Sequence, residues 1–233
     1  MQKAYGKDDA ELCYDLATEN RDILIAILDE LANIVHLSFQ KVCNTGPARS
    51  WANYYRNVMN IEPAENRVIP KKKKSHADKT YRGGKILPYE RLKSYENVTV
   101  YDFRQLYPNT AIQNNIAPDV ICCSCCKDDP TAKIVTNDRN INAKGYWTCR
   151  RRRGSYPQAV LSLTELRAHY EELQAEAVKN NDKEKEIEYG LKQQACKLFA
   201  NSGYGVYGNR HFEFADVRAA ELINYCLWQD KSV

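Results

Sequence analysis

Asn97–Pro108 reads N-V-T-V-Y-D-F-R-Q-L-Y-P. Val98 and Val100 alternate with polar residues, and Tyr101 and Phe103 add β-favouring aromatics, so the pattern predicts a short strand. Pro108 cannot donate to a sheet ladder, which places the end of the strand before it. Asp102 then stands near a strand end beside a tight turn, where a carboxylate and exposed backbone amides can hold a metal ion. A merely solvated turn aspartate has the same local pattern, so the rest of the chain must decide between them.

With 233 residues, 43% of them hydrophobic and 16 of them tyrosine, the chain is long enough for one large domain or two small ones with a real core. The net charge of +4 does not by itself mark a nucleic-acid binder. The basic residues are bunched, however, in Lys71–Lys74 and Arg150–Arg153. Such blocks are either solvated loops or phosphate-backbone contacts. Met1-Gln2-Lys3 opens no signal-like segment, and the longest apolar run, Ile23–Leu28, is too short to span a bilayer. The expectation is a soluble intracellular protein, cytoplasmic or nuclear. Nine cysteines are present, four of them in Cys122-Cys123-Ser124-Cys125-Cys126. The overlapping C-x-x-C pairs could begin a zinc site, but only Cys149 lies nearby and no histidine follows at ligand spacing. The favoured reading is small buried residues on a strand in a reducing compartment.

Further out, Glu11–Leu31 carries apolar residues at helical spacing behind Asp8-Asp9. Asn44-Thr45-Gly46-Pro47 is a break, and a second helix is expected over Ser50–Met59 with Ser50 as cap. Residues 60–80 read as an exposed connector, and Asp119–Arg153 as short strands and loops. Ser162–Lys179 then shows a stripe of Leu163, Leu166, Tyr170, Leu173 and Ala177. Lys183–Ser202 shows another of Ile187, Leu191, Gln194 and Leu198, with Asn180-Asn181-Asp182 as the turn. Together they predict an antiparallel helical hairpin. Gly190 within it should cost about 1 kcal/mol relative to alanine.

The hairpin ends in K-L-F-A-N-S-G-Y-G, Lys197–Gly205. Lys197, Asn201 and Tyr204 share one helix face, where a cation, an amide and a phenol can grip a phosphate and stack on a planar ring. An amphipathic helix ending in a solvated lysine fits the same spacing. Gly203, Gly205 and Gly208 are expected to end the helix and admit neighbouring backbone.

Two stretches now resemble one family. Asp102–Pro108 resembles the D-F-x-S-L-Y-P palm motif of family B DNA polymerases, and Lys197–Gly205 their fingers motif K-x-x-x-N-S-x-Y-G. Tyr5-Gly6-Lys7-Asp8-Asp9 is similar to the third motif of the family's 3′–5′ exonuclease, Y-x-x-x-D. Tyr81-Arg82-Gly83-Gly84 is similar to the Y-x-G-G element between exonuclease and polymerase. Gly154-Ser155-Tyr156-Pro157 stands before the first hairpin helix as a G-x-x-P does in many members. The order and short loops look most like archaeal and viral members.

The resemblance implies an α+β multidomain fold. Residues 1–65 would be the helical end of an RNase H-like exonuclease domain, and 66–157 a linker and partial palm β-sheet. Residues 158–202 would be the two antiparallel fingers helices, and 203–233 a return into the palm. It implies templated addition of deoxynucleotides to a primer 3′-hydroxyl, with primer-template DNA and deoxynucleoside triphosphates as ligands. Other partners would be a processivity clamp or further replication proteins. Two Mg²⁺ ions, about 3.5–4 Å apart in such sites, would serve phosphoryl transfer. Asp102 would give a bridging carboxylate and Phe103 a backbone carbonyl, oxygen donors suited to Mg²⁺. Backbone amides after Phe103, around Leu106, would hold the triphosphate, and Tyr107 would pack under the sugar as a steric gate. Arg167 and Lys197 would reach the triphosphate, Asn201 would assist, and Tyr204 would line the nascent base pair. Tyr5 and Asp9 would serve the exonuclease, Asp9 as a metal ligand; Tyr81, Gly83 and Gly84 would touch template DNA.

Some positions depart from the pattern. Gln105 and Asn109 replace common serines, Gly203 promises looser packing beneath the nascent pair, and Glu171 stands where a second basic residue is frequent and can pair with Arg167. No Y-x-D-T-D-S follows Tyr204, so the second metal-binding aspartate is missing from the sequence. The first two exonuclease motifs are missing as well. The chain therefore reads as an internal fragment of a longer polymerase, inactive alone. Alternatives are a catalytically inactive homologue serving as a DNA-binding structural subunit, and a protein-primed polymerase. For the latter, Cys122–Arg150 leaves room for only a small insertion.

Overall fold

The computed structural model describes residue 18 and residues 21–70, 94, 96–100, 102–134 and 145–229. Among these the chain is helical. Helix α1 spans Arg21–Val35, α2 Phe39–Cys43 and α3 Pro47–Asn53, which runs into a π turn at Tyr54–Val58. Helix α4 spans Leu106–Gln113, α5 Ser155–Lys179, α6 Lys183–Tyr207 and α7 Val217–Gln229.

The strand expected around Val98 and Val100 is absent: residues 98–100 take no regular structure, and both valines are exposed. An extended segment becomes a strand only when a neighbour pairs its backbone, and none does so among the described residues. The only β pairings among the described residues are isolated antiparallel bridges, Ile121 with Thr148 and Lys133 with Trp147. The motif instead turns at Gln105, which adopts a left-handed conformation (φ 49°), and enters α4. Pro108 fits the first turn of that helix because the amide it lacks would have no intrahelical partner there.

Other boundaries move for similar reasons. Gly46, not Ser50, precedes the helix, and Pro47 occupies its first turn. Helix α1 continues past Leu31 to Val35. His36 then takes φ 52° and the Leu37 amide donates to the Ala32 carbonyl (3.0 Å), a Schellman closure built without glycine. Helix α6 passes through Gly203 and Gly205 and stops at Tyr207, with Gly208 as cap.

The hairpin forms as expected, from α5 and α6 packed antiparallel, but longer at its base. Its first stripe holds, with Leu163 and Ala177 buried. The second does not: Ile187 and Leu198 are exposed, and the buried face of α6 is Ala195, Cys196, Phe199, Ala200 and Gly203. Small residues at those positions let α1, α3 and α5 approach α6 closely. Gly190 makes room for the Gln174 amide, which donates to the Glu186 carbonyl (3.1 Å); a β-carbon at 190 would lie 2.9 Å from that amide nitrogen.

The core centres on Trp51, fully buried. Its ring stacks on Phe199 (centroids 4.4 Å apart) and meets Tyr54, Tyr55 and Tyr156 at 5.5–5.8 Å. Its indole N–H donates to the Ser202 hydroxyl (2.9 Å), which donates in turn to the Phe199 carbonyl (2.8 Å). Tyr55 and Tyr207 share a buried hydroxyl contact next to Phe212. At the start of α7, the Asp216 carboxylate accepts from the Arg218 amide (3.0 Å) and guanidinium (2.6 Å). That guanidinium also donates to the Asn66 carbonyl (2.8 Å) and so ties the connector to the helix.

Candidate functional site

The site is assembled where the turn before α4 meets the hairpin. Asp102 and Phe103 are exposed, and one Asp102 oxygen accepts the Phe103 amide (2.9 Å). Because α4 starts at Leu106 and Pro108 carries no amide hydrogen, the donors at its N-terminus that lack an intrahelical acceptor are those of Leu106 and Tyr107. The first helical bond behind them runs from the Asn109 amide to the Gln105 carbonyl (3.0 Å). Such a terminus, with its partial positive charge, suits an anion.

The two motifs touch through their tyrosines. Tyr107 of α4 and Tyr204 of α6 stack with centroids 4.5 Å apart and planes 24° from parallel. Tyr204 is held from behind by Asn224 of α7, whose amide donates to its hydroxyl (2.5 Å). Lys197 and Asn201 stand exposed on the preceding turns of α6. Arg167, on α5, is drawn to Glu171: its Nε lies 3.1 Å from the carboxylate. The same Glu171 oxygen takes the Arg104 guanidinium at 2.8 Å. Glu171 therefore bridges the palm motif and α5, and the expected pairing with Arg167 is present.

Gly203 corrects an expectation. A β-carbon there would come within 2.5 Å of the Tyr156 ring and 2.6 Å of the Trp51 ring, so its absence permits tight packing rather than loosening it. The arginine block is likewise only partly free. Arg150 donates to the Thr131 carbonyl (2.6 Å), and Arg152 pairs with Asp119 (2.8 Å). The cysteines of residues 122–126 lie in an irregular turn, not a strand. Cys125 is exposed, and the sulfurs of Cys123, Cys125, Cys126 and Cys149 all lie within 4.8 Å of one another. Burial opposes ionisation of Cys149, but the backbone amides of Arg151 and Arg152 together with the Cys125 and Cys123 thiols outweigh it and bring the thiol down to about 7.

Tyr5, Asp9, Tyr81, Gly83, Gly84 and the Lys71–Lys74 block lie outside the described residues. The residues that position the site escaped sequence reasoning. Asn115 ends α4 in a left-handed conformation (φ 50°). Its side chain accepts the Gly154 amide (2.8 Å) and donates to the Cys149 and Arg152 carbonyls (2.7 and 2.9 Å). Asp119 accepts the Ser155 amide (3.0 Å) and hydroxyl (2.6 Å), capping α5 from a distant loop. Trp51 lies 151 positions from the serine it holds. No local pattern marks any of these partnerships.

Among the described residues, no helix is long and apolar enough to cross a membrane. The family model for DNA polymerase family B matches residues 52–226. A DNA polymerase of Thermococcus gorgonarius is 28% identical over 210 residues, 88% of this chain and 24% of the relative. DNA polymerase 1 of Sulfolobus acidocaldarius is 26% identical over 228 residues, 94% of this chain and 25% of the relative. The chain thus spans about a quarter of the length of these relatives. The fold is similar to that of the family B DNA polymerase from Pyrobaculum calidifontis (TM-score 0.61, 22% identity, 88% of this chain and 25% of that one). The match over most of the sequence, with the palm and fingers motifs in contact, places the chain in DNA polymerase family B.

Proposed function

We propose that the chain supplies the nucleotide-binding half of a DNA-directed DNA polymerase site. In this reading the parent protein extends a primer 3′-hydroxyl on a template and carries a 3′–5′ proofreading exonuclease to which Tyr5 and Asp9 belong. The Tyr107–Tyr204 stack is the observation that carries the reading, because it brings the palm turn and the fingers helix to one place. Asp102 suits a divalent ion: it is exposed, only one of its oxygens accepts the Phe103 amide, and that leaves carboxylate oxygen available beside the Phe103 carbonyl. This hard oxygen set fits Mg²⁺. Bound there, two Mg²⁺ ions would help activate the attacking oxygen and offset charge on the leaving pyrophosphate. The Leu106 and Tyr107 amides take the triphosphate, Lys197 and Arg167 neutralise it, and Asn201 assists. The Tyr107 ring, braced by Tyr204, crowds the sugar where a 2′-hydroxyl would sit. Tyr81, Gly83 and Gly84 contact the template.

Glu171 favours a second reading, a catalytically inactive homologue that binds DNA as a structural subunit, because it already occupies Arg167. Titration of the 233-residue chain with Mg²⁺ and a deoxynucleoside triphosphate separates the two. The polymerase reading expects binding that Lys197→Ala weakens about tenfold, roughly 1.4 kcal/mol, and that Glu171→Gln strengthens. Triphosphate binding indifferent to both substitutions overturns it. With one palm aspartate in the sequence, the chain alone should extend no primer; templated extension by it would refute the single-carboxylate assignment.

A further inference from the structure

We propose that Cys123, Cys125, Cys126 and Cys149 hold one Zn²⁺ ion as a structural site that braces the loop between α4 and α5. The sulfur of Cys125 lies 3.6 Å from that of Cys123, 3.7 Å from that of Cys126 and 3.6 Å from that of Cys149. Cys126 and Cys149 are 3.9 Å apart. Four thiolates around zinc at about 2.3 Å form a tetrahedron whose edges are about 3.8 Å. These four edges match that figure, and the remaining two, from Cys123 to Cys126 and to Cys149, lie within 4.8 Å. They are far longer than the S–S bond of a disulfide, about 2.05 Å. A multi-iron cluster spreads its cysteines over separate irons and needs wider sulfur spacing, so this compact set selects a single ion. Tetrahedral sulfur coordination then favours zinc.

The surroundings complete the site. The Arg150 amide points at the Cys126 sulfur (3.4 Å), and the Trp147 indole N–H donates to the Cys123 carbonyl (2.8 Å). Four thiolates on a divalent ion leave a dianion, and the run Arg150–Arg153 follows the last ligand directly. That gives the basic block a local role beyond solvation. Among the described residues, the regular structure around the sulfurs is limited to two isolated bridges and short turns. The bridge partners Ile121 and Thr148 flank the ligands on both sides, and the Cys149 amide donates to the Val120 carbonyl (3.0 Å). An ion here closes the loop at its base. Through the Asn115 bond to the Cys149 carbonyl it also fixes the C-terminal end of α4, the helix whose other end carries Tyr107. Cys122, Cys43, Cys196 and Cys226 take no part.

The test is metal analysis of the purified, reduced 233-residue chain, followed by exchange with Co²⁺. About one zinc per chain is expected, and cobalt should give the visible d–d and thiolate charge-transfer bands of a tetrahedral thiolate site. Cys126→Ser and Cys149→Ser should each lose the metal, whereas Cys43→Ser retains it. Since a ligand variant that unfolds also loses metal, the cobalt titration of the unaltered chain decides independently. A folded chain, confirmed by circular dichroism, that contains no stoichiometric zinc and develops no cobalt bands overturns the site. Bound iron, or a disulfide from Cys149 in the freshly reduced protein, overturns it equally.

Discussion

The turn before α4 and the base of the α5–α6 hairpin carry the two motifs of the candidate site, yet they are built in opposite ways. Asp102, Phe103 and Arg104 are exposed and held by an amide–carboxylate bond and one surface ion pair to Glu171. Ser202 and Gly203 sit against the fully buried Trp51, inside a box of aromatic rings. The candidate ligand groups Asp102, Lys197 and Asn201 stay in solvent. Burying their charges without partners would cost several kcal/mol, so packing density is confined to the residues that aim them. Stability and ligand binding should therefore separate by position.

Trp51→Ala is the severest test of that separation. It removes the largest side chain of the core together with its hydrogen bond to Ser202, and should cost about 3–5 kcal/mol in denaturant unfolding. A loss below about 1 kcal/mol, the level of ordinary point changes, would break the contrast. Gly203→Ala comes next. Alanine is the better helix former by up to about 1 kcal/mol, yet its β-carbon enters the Tyr156 and Trp51 rings, and overpacking typically costs about 1–3 kcal/mol. Net destabilisation is expected. Gly205→Ala, two residues on and with nothing within 4 Å, should be neutral or stabilising. Equal effects of the two would remove the packing argument. The smallest effect on stability belongs to Asp102→Asn, within about 0.5 kcal/mol because the side chain is exposed. Its triphosphate binding should nonetheless lose dependence on Mg²⁺, measured by titration with and without chelator. A large stability loss there would mean that the palm turn is built like the hairpin after all.

Some of this was legible in one dimension and some was not. The helical hairpin follows from two apolar periodicities around Asn180-Asn181-Asp182, and the first of its stripes was right because Leu163 and Ala177 do face inward. The second is not the buried face, because small residues rather than large apolar ones face the neighbouring helices. Ile187 and Leu198 are exposed, while alanine, cysteine and glycine line the contact with α1, α3 and α5. The run Val98–Phe103 has strand chemistry, but its described residues, 98–100, 102 and 103, form no strand, since backbone pairing is a property of two segments and periodicity describes one. The candidate ligand-binding residues were found through motifs whose order is itself informative. Their supports, Asn115, Asp119 and Trp51, act across dozens to more than a hundred positions and leave no local mark.

The four cysteines show where that boundary falls. The sequence offers two overlapping C-x-x-C pairs in residues 122–126 with only Cys149 nearby, and spacing alone does not say which four of the five sulfurs meet. Cys149 joins Cys123, Cys125 and Cys126 because the bridge between Ile121 and Thr148 folds residues 145–150 back onto the turn. By itself, the sequence determined the family motifs, their order, the hairpin and the chemistry available at Asp102, Lys197 and Asn201. The tertiary structure alone decided which tyrosines stack, which arginines are neutralised, why residue 203 is glycine and which sulfurs meet. Those outcomes depend on distances between segments remote in the chain, and such distances are set by packing of the whole core rather than by any local run of residues.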